Sequence, residues 1–339
     1  MSDLPFAISL GDPAGIGPEI VAKAWTMREA RNLPTFFAVG DPAALRAVWS
    51  GPLAAIDAPD QACDVFARAL PCLQVSDAGA ITPGCASVDG ARAALQALEA
   101  SVGLARSGSA AGIVTAPVGK TQLYGVGFTH PGQTEFIAER CGVAPDNAVM
   151  MLAGPSLRVV PITIHLRLAD VPAALTIDLI RARTIATAKG LQRNFGIARP
   201  RLVMTGLNPH AGEQGALGRE EIDVIAPAVA SLRAEGIDVT GPFAADALFH
   251  ARARKAYDAC LCMYHDQALI PVKTLHFDEG VNMTLGLPIV RTSPDHGTAF
   301  GIAGQDSANP GAMIAAIRMA GEAAMHRRAA DAAQLAPTA

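Results

Sequence analysis

Three histidines stand just beyond apolar runs that read as β-strands. They are His165 after Ile162-Thr163-Ile164, His210 in Gly206-Leu207-Asn208-Pro209-His210-Ala211-Gly212-Glu213, and His265 in Met263-Tyr264-His265-Asp266-Gln267. In an open parallel sheet the carboxyl ends of the strands line the ligand crevice. Three neutral imidazoles with an open fourth position make a catalytic metal site. A carboxylate such as Asp266 could orient one ring or take a proton. A single strand-end histidine more often satisfies a loop hydrogen bond, and no pair here has the His-x-x-x-His spacing of a helical zinc site. Three in similar contexts favour a shared role.

The densest polar stretch follows: Lys273, then Gly280 to Ala299, which includes Asn282, Arg291, Asp295, His296 and Gly297. Polar residues among glycines and prolines suit a backbone that approaches a ligand closely. Lys273 and Arg291 could hold a phosphate or carboxylate, the arginine in bidentate fashion; the plainer alternative is solvated surface charge. Gly132-Gln133-Thr134-Glu135 precedes a helical pattern, so Thr134 is either an N-cap or a hydroxyl offered to an anion. Thr115-Ala116-Pro117-Val118-Gly119-Lys120 is another strand-to-helix turn carrying one cation. The opening turn, Gly11-Asp12-Pro13-Ala14-Gly15-Ile16-Gly17-Pro18-Glu19, sits where a phosphate loop belongs. It fails the dinucleotide fingerprint because Ile20 stands where the third glycine should fall. A tight turn with Pro18 at the first helical position accounts for it equally well.

The elements that must carry these residues alternate. Phe6–Leu10, Thr35–Val39 and Ala111–Thr115 read as strands, with a helix near Pro18–Met27. Ala148–Ala153 and Leu157–Ile164 form a strand pair across Gly154-Pro155-Ser156. A helix over Ile177–Phe195, a strand over Arg201–Leu207, a helix over Arg219–Glu235 and a strand over Ala259–Tyr264 follow, with a helical tail from Pro310 to Ala333. The alternation means an α/β architecture with largely parallel sheets.

The chain has 339 residues, enough for about two domains of ordinary size. Half of them are apolar and 17% charged, which excludes a disordered chain. A net charge of −4 with no lysine-rich block argues against nucleic-acid binding. The first residues lack a signal peptide's basic and apolar regions, and the most apolar later stretch, Ala148 to Ile164, is too broken to span a bilayer. Cys63, Cys72, Cys85, Cys141, Cys260 and Cys262 show no CxxC pair. The expectation is a cytoplasmic enzyme with six reduced core thiols.

The segments Gly11–Glu19, Gly206–Glu213, Met263–Lys273 and Gly280–Ala299 resemble the 4-hydroxythreonine-4-phosphate dehydrogenase family of pyridoxal phosphate biosynthesis, through essentially the whole chain. More distantly, His296-Gly297-Thr298-Ala299, Ala303-Gly304-Gln305-Asp306 and Asn309-Pro310-Gly311 resemble the adenine-binding loop of isocitrate and isopropylmalate dehydrogenases. The resemblance implies two α/β/α domains with mostly parallel sheets and a central cleft, not a Rossmann domain. It places residues 1–128 with 286–335 on the nucleotide side, and residues 129–285 in a metal, substrate and dimerisation domain.

Carried over by residue, it makes His165, His210 and His265 ligands of a divalent metal, zinc first with magnesium or cobalt as alternatives. Both subunits of a homodimer would contribute to the centre. Gln133, Thr134, Lys273, Asn282 and Arg291 would contact a phosphorylated hydroxy amino acid. Asp295, His296, Gly297 and Asn309 would contact the cofactor, expected to be NAD because no Lys or Arg lies between Thr292 and Ile317 to meet a 2′-phosphate. Lys273, Asp246 or Asp266 would be the base, and the reaction would be oxidation of a secondary hydroxyl followed by decarboxylation. Gln133 departs from the family's Gly-His-Thr-Glu and cannot become a cation. That departure leaves open a related dehydrogenase acting on another phosphorylated sugar acid or a diol carboxylate. A three-histidine metal hydrolase is the more distant alternative.

Overall fold

The computed structural model describes residues 4–335. The chain forms two compact units, one made of residues up to Gly142 with Leu287–Ala324, the other of Val143–Gly286 with the residues from Met325 onward.

In the first unit the strands are β1 (Phe6–Ser9), β2 (Phe36–Gly40), β3 (Leu53–Ile56), β4 (Leu70–Gln74) and β5 (Ile113–Thr115), joined late in the chain by β12 (Arg291–Pro294). Their order is β3-β4-β2-β1-β5-β12, and every pair is parallel. A parallel strand is covered on both faces, so it is written as an unbroken apolar run. Phe36-Phe37-Ala38-Val39 and Phe6-Ala7-Ile8 are such runs, and all are buried. Helix α1 (Gly17–Thr26) starts with Pro18 in its first turn, where the missing N–H costs nothing. Helix α2 (Val88–Arg106) is capped by Ser87, whose hydroxyl accepts from the Gly90 N–H at 3.0 Å. Its buried face is largely alanine: Ala91, Ala94, Ala97, Ala105, with Leu98 and Val102. Helix α3 (Gln133–Arg140) follows, with Gly132 as its N-cap.

The second unit contains β6 (Val149–Gly154), β7 (Leu157–Pro161), α4 (Ile177–Phe195), β8 (Leu202–Thr205), α5 (Ala226–Ala234), β9 (Val239–Phe243), β10 (Ala259–Cys262), α6 (His265–His276) and β11 (Val281–Leu285). The strand order is β11-β6-β7-β10-β8-β9. The β6–β7 hairpin and the β11–β6 pair are antiparallel, and the remaining pairs are parallel. Thr176 caps α4 through the Leu179 N–H at 3.1 Å, and Gly196 ends it at φ +65°, a left-handed position that glycine takes without strain. The last helix is α7 (Gly311–Leu335). The protein is thus a mostly parallel α/β structure, as expected. Among the described residues no helix is long and apolar enough to cross a membrane.

Three expectations need correction. The helix expected over Arg219–Glu235 begins at Glu221 as a π-helical segment, Glu221–Ile225, before α5. The second strand of the hairpin stops at Pro161, leaving His165 on the loop beyond it. Of the six thiols expected in the core, only Cys72, Cys260 and Cys262 are buried; Cys63 and Cys85 are exposed and Cys141 is half-buried. The buried three lie on strands, whereas Cys63 sits in a short surface helix (Ala62–Val65), Cys85 on a surface turn and Cys141 at a helix end.

Candidate active site

In the second unit, β7, β8 and β10 end near one another and their terminal residues are stitched together. Gln267 accepts the Met263 N–H and the Thr205 hydroxyl, both at 2.7 Å, and donates to the Gly206 carbonyl at 2.8 Å. The buried Thr163 hydroxyl donates to the Met263 carbonyl at 2.7 Å. This frame fixes the loops that hold His165 and His265. Their rings lie 5.8 Å apart, centroid to centroid. His265 opens α6 and its Nδ1 is 2.7 Å from Asp266 Oδ1. A carboxylate on Nδ1 fixes the tautomer and leaves Nε2 for a ligand.

His165 and His265 both line a cavity of about 260 Å³ with Asp266, Thr163 and Tyr264. A second space of about 440 Å³ is lined by His265, Asp266, Leu269, Ile270, Lys273 and Thr274. Those positions are one face of α6, so Lys273 stands two turns along from His265 on the same side. Asp246 lies on the short turn Ala245–Ala247 and lines neither space.

His210 sits on the loop after β8. Five successive residues there, His210 to Gln214, have positive φ, making a left-handed turn. His165 has φ +54° as well. Such backbone costs L-residues about 1–3 kcal/mol each and persists where surrounding structure enforces it, typically at functional sites. Glu221 anchors the chain just ahead of the turn at His210. Its buried carboxylate accepts the Leu207 and Asn208 N–H groups, both at 2.8 Å, and the Asn208 side-chain amide at 3.0 Å. Among the described residues no three His, Cys, Asp or Glu side chains group closely enough to hold one metal ion. The single chain therefore pairs His165 with His265 but does not add His210 to them. On β11, Asn282 has a buried Oδ1 with no hydrogen-bond partner.

In the first unit, Arg291 begins β12 and is buried, 3% exposed. Its Nη2 donates to the Thr115 hydroxyl at 3.0 Å and to Gln133 Oε1 at 3.5 Å, and its Nη1 reaches the Thr134 hydroxyl at 3.5 Å. The Gln133 amide nitrogen donates in turn to the Ala116 carbonyl at 3.3 Å. Burial pulls the guanidinium down to about 10, with Glu135 opposing. Thr134 is not the N-cap; it lies in the first turn of α3, and its hydroxyl faces the arginine instead. Arg291, Gln133 and Thr134 therefore gather at one helix N-terminus, a geometry that suits an anion.

The segment after β12 carries the nucleotide-side candidates. His296 Nδ1 is 3.1 Å from the Gly297 carbonyl, and its Nε2 is buried without a partner. A side chain added at Gly297 would meet nothing within 4 Å. Asn309 Oδ1 accepts the Gly311 N–H at 2.9 Å, which starts α7. Asp295 precedes them at the end of the strand.

Thr115, Gln267 and Glu221 were not singled out from sequence. Each works through a contact distant in the chain, so only its place at a strand end or within a Gly-rich turn could have marked it.

The family model described as "Pyridoxal phosphate biosynthetic protein PdxA" matches residues 32–320. A 4-hydroxythreonine-4-phosphate dehydrogenase of Zymomonas mobilis is 57% identical over 325 residues, covering 96% of this chain and 97% of that protein. A solved 4-hydroxythreonine-4-phosphate dehydrogenase from Klebsiella pneumoniae superposes with a TM-score of 0.83 at 36% identity, covering 95% of this chain and all of that one. A terephthalate 1,2-cis-dihydrodiol dehydrogenase from Burkholderia xenovorans is also similar, with a TM-score of 0.64 and 31% identity over 94% of this chain and 97% of that one. Matched across most of its length by the family model and by near-full-length relatives, the chain belongs to the PdxA family of pyridoxal phosphate biosynthetic proteins.

Proposed function

We propose that the protein is a 4-hydroxythreonine-4-phosphate dehydrogenase. It oxidises the secondary hydroxyl of 4-phosphohydroxy-L-threonine with NAD, giving NADH, a proton and a β-keto acid. The keto acid then loses CO2 to leave 3-amino-2-oxopropyl phosphate, a step in making pyridoxal 5′-phosphate. The observation that carries this reading is the pairing of His165 and His265 beside Lys273, in a chain 57% identical to an enzyme of that name.

The chemistry of the donor set fits a divalent cation. His165 and His265 present two imidazoles to one cavity, and Asp266 orients one of them. His210 from a second copy would complete three nitrogens in a homodimer that shares its active site. Zinc suits that set best, with magnesium or cobalt as alternatives. When bound, the cation supplies Lewis acidity toward the oxygen being oxidised and toward the charge left by decarboxylation.

The remaining work falls to the chain's own groups. Lys273 lines the space beside His265 and Asp266 while Asp246 lines neither space, so Lys273 is the group that exchanges the hydroxyl proton. Arg291, with Gln133 and Thr134 beside it, binds the substrate's anionic end and supplies orientation. The unpartnered Asn282 oxygen accepts from a substrate donor such as the amine. On the nucleotide side, the buried Nε2 of His296 suits a polar edge of adenine, with Asp295, Gly297 and Asn309 assigned to the same cofactor.

One observation favours a second reading. The similarity to a dihydrodiol dehydrogenase, together with glutamine at position 133, points to a diol carboxylate as the competing substrate. Incubating the enzyme with NAD and each substrate, then identifying products by mass spectrometry, separates the two. Formation of 3-amino-2-oxopropyl phosphate with equimolar NADH is the expected result; turnover of the diol alone would replace the reading.

A further inference from the structure

The opening turn, Gly11 to Glu19, binds no anion in the reading above, yet the structure gives it extensive work. The Ile16 N–H donates to the Thr298 carbonyl at 3.0 Å, and a Cβ at Gly15 would lie 3.0 Å from that same oxygen. Gly15 therefore lets the turn approach the segment that follows β12. One turn into α1, the buried Glu19 carboxylate accepts the Ala308 N–H at 3.0 Å. One further turn on, Lys23 Nζ lies 2.9 Å from Glu19 Oε1, 2.8 Å from the Asp306 carbonyl and 3.0 Å from the Ala308 carbonyl. The Asp306 carboxylate is 3.0 Å from the same nitrogen. The segment so held contains two non-glycine residues in left-handed conformations, Ala299 at φ +44° and Asp306 at φ +56°. Such a backbone needs external restraint to persist.

The segment begins just after His296 and ends at Asn309, the two residues assigned to adenine under the reading above, on which this inference rests. We propose that Lys23, with Glu19, is a positioning residue for dinucleotide binding. The pair clamps residues 298–308 onto α1 and thereby fixes the spacing of His296 and Asn309. Lys23 is the cation that reaches this segment from outside it, and its charge is matched by Glu19 and Asp306. It is therefore engaged in the clamp rather than offered to a 2′-phosphate.

The test is the full-length enzyme carrying Lys23→Met, or Asp306→Asn, which removes the charge at an exposed position and keeps a residue type that tolerates the left-handed backbone. NAD and NADP affinities are measured by calorimetry, steady-state constants for both substrates are determined, and amide exchange is followed over residues 298–309. If the clamped arrangement falls to a tenth of the population, the NAD dissociation constant rises about tenfold. Lys23→Met should show that rise, faster exchange in the segment, and a KM for the phosphorylated substrate within about twofold of the parent, since that site lacks these contacts. Asp306→Asn should show the same pattern more weakly. Unchanged NAD affinity in Lys23→Met, with the parent binding NAD normally, overturns the clamp and leaves the dehydrogenase reading intact. A selective loss of NADP binding overturns it in favour of direct 2′-phosphate recognition. Absence of NAD binding by the parent enzyme removes both the dinucleotide reading and the clamp built on it.

Discussion

Arg291 offers a test in which stability and function should move in opposite directions. Its guanidinium is 3% exposed, and burial holds it down to about 10. A base whose folded-state pKa is lowered pays for its charge throughout the range below that value, so at neutral pH the full cost is present. At ~1.4 kcal/mol per pH unit, the depression corresponds to an expense on the order of 3 kcal/mol. The neighbours return part of it, because Thr115, Gln133 and Thr134 accept from the guanidinium. Losing those bonds costs about 1 kcal/mol each, less for the two at 3.5 Å.

Arg291→Met fills similar space without charge, so the fold should lose nothing and gain up to about 1–2 kcal/mol, a rise of a few degrees in Tm. Substrate capture should suffer, since a buried charge-assisted contact to an anion is worth about 2–5 kcal/mol, at least a thirtyfold loss in kcat/KM. Differential scanning calorimetry and initial rates on the same preparation decide it. A variant destabilised by more than about 2 kcal/mol while kcat/KM stays within a factor of three would refute the reasoning.

Three further outcomes are expected. His265→Ala should lose bound divalent metal, read by elemental analysis, and turnover with it; a variant that keeps its metal content removes His265 from the ligand set. Gln133→His should not raise kcat/KM at pH 8, because the amide already donates to the Ala116 carbonyl and accepts from Arg291, which is all that the one donor and one acceptor of a neutral imidazole could supply. An increase of about tenfold, or roughly 1.4 kcal/mol, would show that glutamine is a deficit. Burial and the nearby Arg254 hold the His276 imidazole below its ordinary value, so it contributes stability that is present above the ordinary value and is lost as pH falls from there through the lowered one. Thermal unfolding between pH 7.5 and 5 should therefore decline less steeply for His276→Gln than for the parent, and equal slopes would contradict the assignment.

Much of the fold could be read from apolar runs, and the failures have physical causes. Phe36 to Val39 announces a parallel core strand because both its faces need covering. Helix α2 is hard to see because alanine forms most of its buried face, so the contrast that marks an amphipathic helix is weak. Strand β12 reads Arg-Thr-Ser-Pro yet is buried throughout, since its polar groups are satisfied by tertiary contacts such as Thr292 with the Ala316 carbonyl. At the site, residue types were legible and geometry was not. His165 and His265 could be named from their strand-end contexts, but their pairing depends on Gln267 and Thr163 bonding across β7, β8 and β10. The left-handed turn at His210 follows two residues, Leu207 and Asn208, that are anchored by Glu221 fourteen and thirteen positions on, and no local propensity encodes it. The reach of Lys23 to Asp306 spans 283 positions, so only the folded chain discloses it.

The central claim is metal-dependent oxidation of a phosphorylated hydroxy amino acid by NAD. The most direct measurement follows absorbance at 340 nm with purified protein, NAD and 4-phosphohydroxy-L-threonine, before and after chelation and again after a divalent cation is restored. The account predicts NADH formation that vanishes with the chelator and returns with the cation. Undiminished NADH formation in a fully chelated enzyme, or none in the metal-loaded one, would contradict it.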